Sequence, residues 1–279
     1  MRAAAIQLNS NEDKPRNLER AEKLLRAAAA DGADLAVFPE KFNVLGGPDD
    51  LRAGAEPIPG PTTDWAAALA HKLGLWLVAG SIVERVEGDD KLRNTSVLIG
   101  PDGDLHATYR KIHLFDVEVE GMVYRESDAE APGDEVVVAD AGALQLGMAV
   151  CYDLRFPELF RIMAVRGARV ISLPAAFTVP TGRAHWEVLL RARAIENQAF
   201  VIAAGQTGRH PPDHESHGHS MIVDPWGVVL AEEPDEECFV AADLDLTRQD
   251  EVRDQLPALA HRRPDAYRWP QHAGAGATS

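Results

Sequence analysis

The chain has 279 residues, 46% of them hydrophobic and 26% charged, enough for one large or two modest cores of ordinary globular composition. Its net charge of −16 argues against nucleic acid or an anionic membrane as partner, since both need a basic patch. Two cysteines, Cys151 and Cys238, make no disulfide framework, and no apolar run approaches the ~20 residues of a membrane span.

Strand-like and helix-like stretches alternate along the chain. "AAAIQL" (3–8) predicts a strand, with no signal-like apolar region before it, so the protein is expected to be cytoplasmic. Residues 14–32 predict a helix, because Leu18, Ala21, Leu24, Leu25 and Ala28 recur at helical spacing before Gly32. "LAVFPE" (35–40) predicts a second strand, stopped by Pro39. Residues 60–74 predict a helix, and 75–85 and 94–110 predict extended segments. An acidic loop follows. "LQLGMAVCYD" (144–153) leads into a helix from about Phe156 to Gly167, then a strand over 168–177 and a helix over 185–198. Late strands are expected at 199–208, 219–233 and 238–246. "VISLPAAF" and "FVIAAG" do not alternate, which predicts strands buried on both faces. Helices between strands imply α/β layers. No linker or repeat divides the chain, so residues 1–270 are read as one domain, and the small, unpatterned tail 271–279 is expected to be mobile.

Three predicted strand ends carry reactive residues: Glu40, Lys111 in "YRKIHLFD" (109–116), and Cys151. Ligands in layered α/β folds bind where strands end. A thiolate, a carboxylate and an ammonium suit acyl transfer: attack, proton transfer and oxyanion stabilisation. The helix start after Cys151 is expected to favour its thiolate. Read singly, each residue has a plainer account. An isolated Cys at a strand end is more often core, a Glu after Phe-Pro a solvated cap, and a Lys beside an Arg surface charge.

Taken together, the blocks carry more. "FPEKF" (38–42), "YRKIHLFD" and "VCYDLRFPELF" (150–160) resemble, in order, the Glu, Lys and Cys signatures of the nitrilase superfamily of carbon–nitrogen hydrolases. "YRES" (124–127), residues 185–208, "GHSMIVDPWG" (218–227) and "LPALAHRRPDAY" (256–267) extend the resemblance from Arg2 to about Tyr267. It implies a four-layer α-β-β-α sandwich. Cys151 would be the nucleophile, Glu40 the general base and acid, and Lys111, with the Tyr152 N–H, the oxyanion stabiliser. Glu126 would be a second glutamate that positions the others, although by its neighbours Glu118, Glu120, Asp128 and Glu130 it reads as a surface acid. Neither cofactor nor metal is implied, and a homodimer or larger homo-oligomer of a small-molecule amidase is. "LPAAFTVPTGRAHWEVLLRARAIENQ" is most similar to the Nit branch, which includes omega-amidases and the amidase acting on deaminated glutathione, and leans to the latter. The alternatives are a nitrilase, carbamoylase or omega-amidase using the same Cys-Glu-Lys trio, or a catalytically silent binding or scaffold member of the family.

Around this set, Arg155 is either a clamp for a substrate carboxylate or one half of a salt bridge with Asp153 or Glu158. Phe177 and Thr181 either line the pocket or pack the core and loop. "HESHGH" (214–219) lacks the i, i+4 pair of a zinc helix and reads as a flexible polar loop. Arg191 and Arg193 read as helix ion pairs, and Cys238 as core.

Overall fold

A computed structural model describes residues 1–233 and 235–267. In chain order the elements are β1 (Arg2–Gln7), α1 (Lys14–Ala30), β2 (Leu35–Val37), α2 (Pro48–Gly54), α3 (Pro61–Leu73), β3 (Trp76–Val78), β4 (Ile82–Glu84), β5 (Arg93–Ile99) and β6 (Leu105–Arg110). There follow β7 (Asp116–Val119), β8 (Met122–Arg125), β9 (Val138–Ala141), β10 (Leu144–Met148), α4 (Pro157–Val165), β11 (Val170–Ala175), α5 (Val179–Asn197) and β12 (Phe200–Gly205). The remainder are β13 (Thr207–His210), β14 (His214–His217), β15 (Ser220–Val223), β16 (Val229–Glu233), β17 (Cys238–Asp243) and α6 (Leu246–Gln255).

Two sheets form the middle layers. The first runs β17-β1-β2-β3-β5-β4, with β6 also on β5; Thr95 pairs with Ile82 on one side and Arg110 on the other, so β4 and β6 flank β5. The second runs β16-β15-β12-β11-β10-β9. The centre of each is parallel, β1-β2-β3 and β10-β11-β12.

Side-chain alternation explains the layering. On β1 and β2, Ala3, Ala5, Leu35 and Val37 join one core with Ile171, Leu173, Val201 and Ala203 of the other sheet. The alternate residues Ala4, Ile6 and Ala36 join a second core with Ala21, Leu25 and Ala28 of α1 and Ala66, Leu69 and Ala70 of α3. Every residue of β11 and β12 is buried, as expected of strands covered on both faces. Phe160 and Met163 of α4 and Trp186 and Leu190 of α5 complete the outer layer on the second sheet. The molecule is an α-β-β-α sandwich.

Several boundaries differ from the sequence reading, each for a physical reason. α5 starts at Val179 rather than at 185, with Pro180 in its first turn. Its Gly182 is there because a Cβ would lie 2.2 Å from His217 on β14. α6 replaces the end of the expected strand 238–246. It carries almost no apolar stripe and is held by polar contacts, Gln249 donating to the Gln198 carbonyl at 3.0 Å and Arg169 to Gln249 at 2.7 Å. The acidic loop folds into the hairpin β7–β8, whose strands carry no buried residue and hence no alternation to read. "HESHGH" is likewise a correction: His214–His217 is strand β14, paired to β13, not a flexible loop. Cys238 is half-buried at the start of β17. The tail 271–279 lies outside the described residues.

Candidate active site

Glu40 follows β2 in the first sheet, and Cys151 follows β10 in the second. Because the sheets face each other, the ends of these strands open onto one cavity of about 350 Å³. Lys111 enters from the end of β6, and Glu126 from a 3₁₀ turn that directly follows β8.

The Glu40 turn is locked by its neighbours. Gly80 sits at φ +45° against it, and a Cβ there would lie 2.0 Å from the Pro39 carbonyl oxygen. The Ser81 N–H donates to that oxygen at 3.3 Å, the Ser81 hydroxyl accepts from the Lys41 N–H at 3.0 Å, and the Gln206 side chain donates to the Glu40 carbonyl at 2.9 Å. The carboxylate itself is fully engaged. Oε1 accepts from Asn94 Nδ2 at 2.7 Å and Lys111 Nζ at 3.1 Å, and Oε2 from the Ala176 N–H at 2.8 Å.

Cys151 is buried and has φ +48°, a left-handed conformation that costs a side-chain-bearing residue of order 1–3 kcal/mol. Asp153 holds this turn. Its fully buried carboxylate accepts from the Val150 N–H at 2.8 Å, the Tyr109 hydroxyl at 2.6 Å and the His113 N–H at 3.1 Å. It therefore ties the Cys151 turn to the segment that carries Lys111. Burial, then the Asp153 charge, pushes the Tyr109 hydroxyl well above its ordinary value, so it stays a donor.

Lys111 Nζ donates to both Glu126 oxygens, at 2.9 and 2.8 Å, as well as to Glu40. Glu126 also accepts from the Phe115 N–H at 2.7 Å, and Asn94 Nδ2 reaches it at 3.4 Å. Thus Glu126 is no surface acid; its side chain is 11% exposed. Burial alone would lower the Lys111 ammonium, but Glu126 and Glu40 outweigh it and hold it well above its usual value. Burial would raise Glu126, yet Lys111 and then Lys41 keep it well below the usual carboxylate range. The thiol moves the other way. Burial first, then Glu40, pushes Cys151 well above an ordinary thiol, with Lys111 only partly opposing. The helix start after Cys151 therefore does not lower this thiol, contrary to the expectation from sequence. Burial and the Glu40 charge both favour the protonated thiol.

Phe177, Thr181 and Tyr152 line the cavity. Arg155 does not. Its guanidinium lies 5.2 Å from the Phe177 ring and 5.8 Å from the Tyr152 ring, with Nη1 3.2 Å from His185 Nδ1. It pairs with neither Asp153 nor Glu158, and braces the two aromatic rings. Arg125, at the end of β8, lies on the cavity wall instead. Arg191 and Arg193 pair with Glu187 at 3.0 Å and Glu196 at 2.9 Å; Arg193 also donates to the Leu154 carbonyl, bracing the turn that holds Cys151. Sequence reading missed Asn94, Asp153, Lys41 and Glu130. Asp153 could have been found, since it stands two residues from Cys151 at the start of a turn. Among the described residues no three His, Cys, Asp or Glu side chains are grouped to hold a metal ion.

Residues 2–254 match the carbon-nitrogen hydrolase family. The chain is 43% identical to deaminated glutathione amidase of Bos taurus, over 95% of this chain and 82% of that protein. It is 41% identical to omega-amidase NIT2 of Homo sapiens, over 95% and 96%. The C. elegans NitFhit protein superposes with a TM-score of 0.88 at 38% identity; the match covers 96% of this chain and 66% of that one. The chain belongs to the carbon-nitrogen hydrolase family. Within it, it is a hydrolase of carbon–nitrogen bonds other than peptide bonds.

Proposed function

We propose that the protein is an amidase that opens a small carboxylate-bearing amide through a thioester on Cys151. The observation that carries this reading is the meeting of Glu40, Lys111 and Cys151 on one cavity wall, two of them hydrogen-bonded at 3.1 Å. As Sγ attacks the amide carbon, Glu40 takes the thiol proton. Lys111 and the Tyr152 N–H meet the negative oxygen that forms. The tetrahedral carbon then collapses, Glu40 returns the proton to the leaving nitrogen, and ammonia or an amine departs. Glu40 next takes a proton from water, hydroxide adds to the thioester carbon, and collapse returns the thiol and the free acid. Every proton in this cycle has a side chain to hold it. Glu126 fixes Lys111 through both of its carboxylate oxygens.

The relatives named deaminated glutathione amidase and omega-amidase support deaminated glutathione as the first substrate to try and an ω-amide as the second, for which α-ketoglutaramate is the probe. The carboxylate is met at the wall by Arg125 rather than Arg155. The test is ammonia or amine release from a panel of ω-amides by wild type and Cys151→Ala. Release by wild type alone is expected; release by neither on any amide, nitrile or carbamoyl compound contradicts the reading.

We infer further that residues 1–270 act as one domain, in a homodimer, in the cytoplasm. Exposed Ile162 and Val165 on α4 and Val188 and Ile195 on α5 support pairing through these helices. Two free cysteines support a reducing compartment. Among the described residues no helix is long and apolar enough to cross a membrane.

A further inference from the structure

Five charges of alternating sign run in one line beside the cavity. Glu130 Oε1 lies 2.6 Å from Lys41 Nζ, and Lys41 Nζ 3.6 Å from Glu126 Oε1. Glu126 Oε2 lies 2.8 Å from Lys111 Nζ, which is 3.1 Å from Glu40 Oε1. The second half of this ladder carries the chemistry. The first half, Lys41 and Glu130, takes no part in the acyl-transfer steps, yet both line the same cavity.

The pair has an odd construction for a structural salt bridge. Glu130 is 2% exposed in its side chain and Lys41 10%, so both ions have left water, and desolvation offsets most of what such a pair contributes to stability. Lys41 adopts φ +50°, an uncommon choice for a long side chain, in the turn that also sets Glu40. Glu130 Oε2 is buried with no hydrogen-bond partner among the described residues.

We propose that Lys41 and Glu130 are positioning residues of this site, which set how much of the Lys111 ammonium is left to face the reacting carbon. The effect on turnover rests on the amidase reading above; the coupling to Cys151 does not. When Glu130 is ionised it holds Lys41, and Glu126 leans on Lys111. When Glu130 carries a proton, the Lys41 charge turns to Glu126, and Lys111 is freer to meet Glu40 and the oxyanion. The charged groups facing Glu130 are Lys41 from the turn after β2, Glu126 from its own segment and Lys111 from the end of β6. Leu92, its backbone partner before β5, brings no charge. Burial pushes the Glu130 carboxyl up to about 7, Lys41 opposing and Glu126 adding, so both states are populated near neutrality.

The experiment follows the rate of Cys151 alkylation by iodoacetamide from pH 5 to 9.5 in wild type, Glu130→Gln, Lys41→Met and Lys41→Arg. It is repeated as kcat and KM with whichever amide wild type hydrolyses. The wild-type profile is expected to show an inflection near pH 7. Glu130→Gln removes it, Lys41→Arg keeps it, and Lys41→Met moves it up by about 1–3 pH units, because the lost cation had lowered Glu130. With an amide, the same inflection appears in kcat rather than KM. A Glu130→Gln profile that superimposes on wild type overturns the proposal, as does an inflection that Lys41→Met leaves in place. If Lys41→Met does not fold, Glu130→Gln, which keeps shape and acceptor, decides alone. Alkylation needs no substrate, so a Glu130-dependent inflection without amide hydrolysis defeats the amidase reading and leaves the positioning role standing. Amide hydrolysis with an inflection indifferent to Glu130 does the reverse.

Discussion

The two walls of the cavity are built on different principles. On one, Glu40, Lys111 and Cys151 stand at the ends of sheet strands, buried and tied by side-chain and main-chain hydrogen bonds. On the other, the hairpins β7–β8 and β13–β14 bring Val123, Tyr124, Arg125, Pro212 and His214 to the rim, and most of these side chains are wet. The difference separates two tasks. Acyl transfer needs groups held to fractions of an ångström, which packed strand ends supply. Substrate choice needs only a surface of suitable shape and charge, which short hairpins supply and vary at little cost to the core.

The largest effect is expected on the inner wall. Cys151→Ala should lower kcat at least about 10⁴-fold, and Glu40→Gln or Lys111→Met about 10²–10⁴-fold, with KM little changed, by steady-state kinetics. Next comes Asp153→Asn. It weakens the acceptor for Val150, His113 and Tyr109 at a buried position, and thermal unfolding should report a loss of about 1–3 kcal/mol together with lower kcat. If Asp153→Asn lowered stability without touching kcat, the inner wall would be less tightly coupled than its hydrogen bonds imply.

The rim should respond in KM instead. Arg125→Ala is expected to raise KM for carboxylate-bearing amides about 10- to 150-fold at constant kcat, since one charge-assisted hydrogen bond is worth about 1.5–3 kcal/mol. Arg155→Ala, behind Phe177 and Tyr152, should change KM less than threefold. Equal effects of the two, or a larger one from Arg155, would erase the proposed division.

The last effect is a pH trend in stability, which leaves both walls in place. Glu130 has its folded value raised to about 7 from 4.5, so between those values the folded state holds a proton that the unfolded state has released. Its contribution is full below the unfolded value and lost as pH rises through 7. Wild type should therefore lose about 1–3 kcal/mol relative to Glu130→Gln between pH 5 and 8, seen as a widening gap in Tm.

How much of this was legible in sequence follows the same division. The buried strands announced themselves as apolar runs, and the four signature residues as members of ordered blocks. Hairpins β7–β8 and β13–β14 and helix α6 were not legible, because they are held by polar pairing and carry no apolar period. Lys41 and Glu130 lie far apart in the chain, and only the fold reveals them as partners. Arg155 misled by nearness in sequence: four residues from Cys151 along a 3₁₀ turn is the wrong side of two aromatic rings.

The central claim is a covalent acyl-enzyme on Cys151. Intact-protein mass spectrometry during turnover of a small carboxylate-bearing amide tests it most directly. The account predicts an adduct equal to the amide minus ammonia or amine, mapped to Cys151, and absent in Cys151→Ala. Turnover by Cys151→Ala at the wild-type rate, with no adduct in either protein, would contradict it.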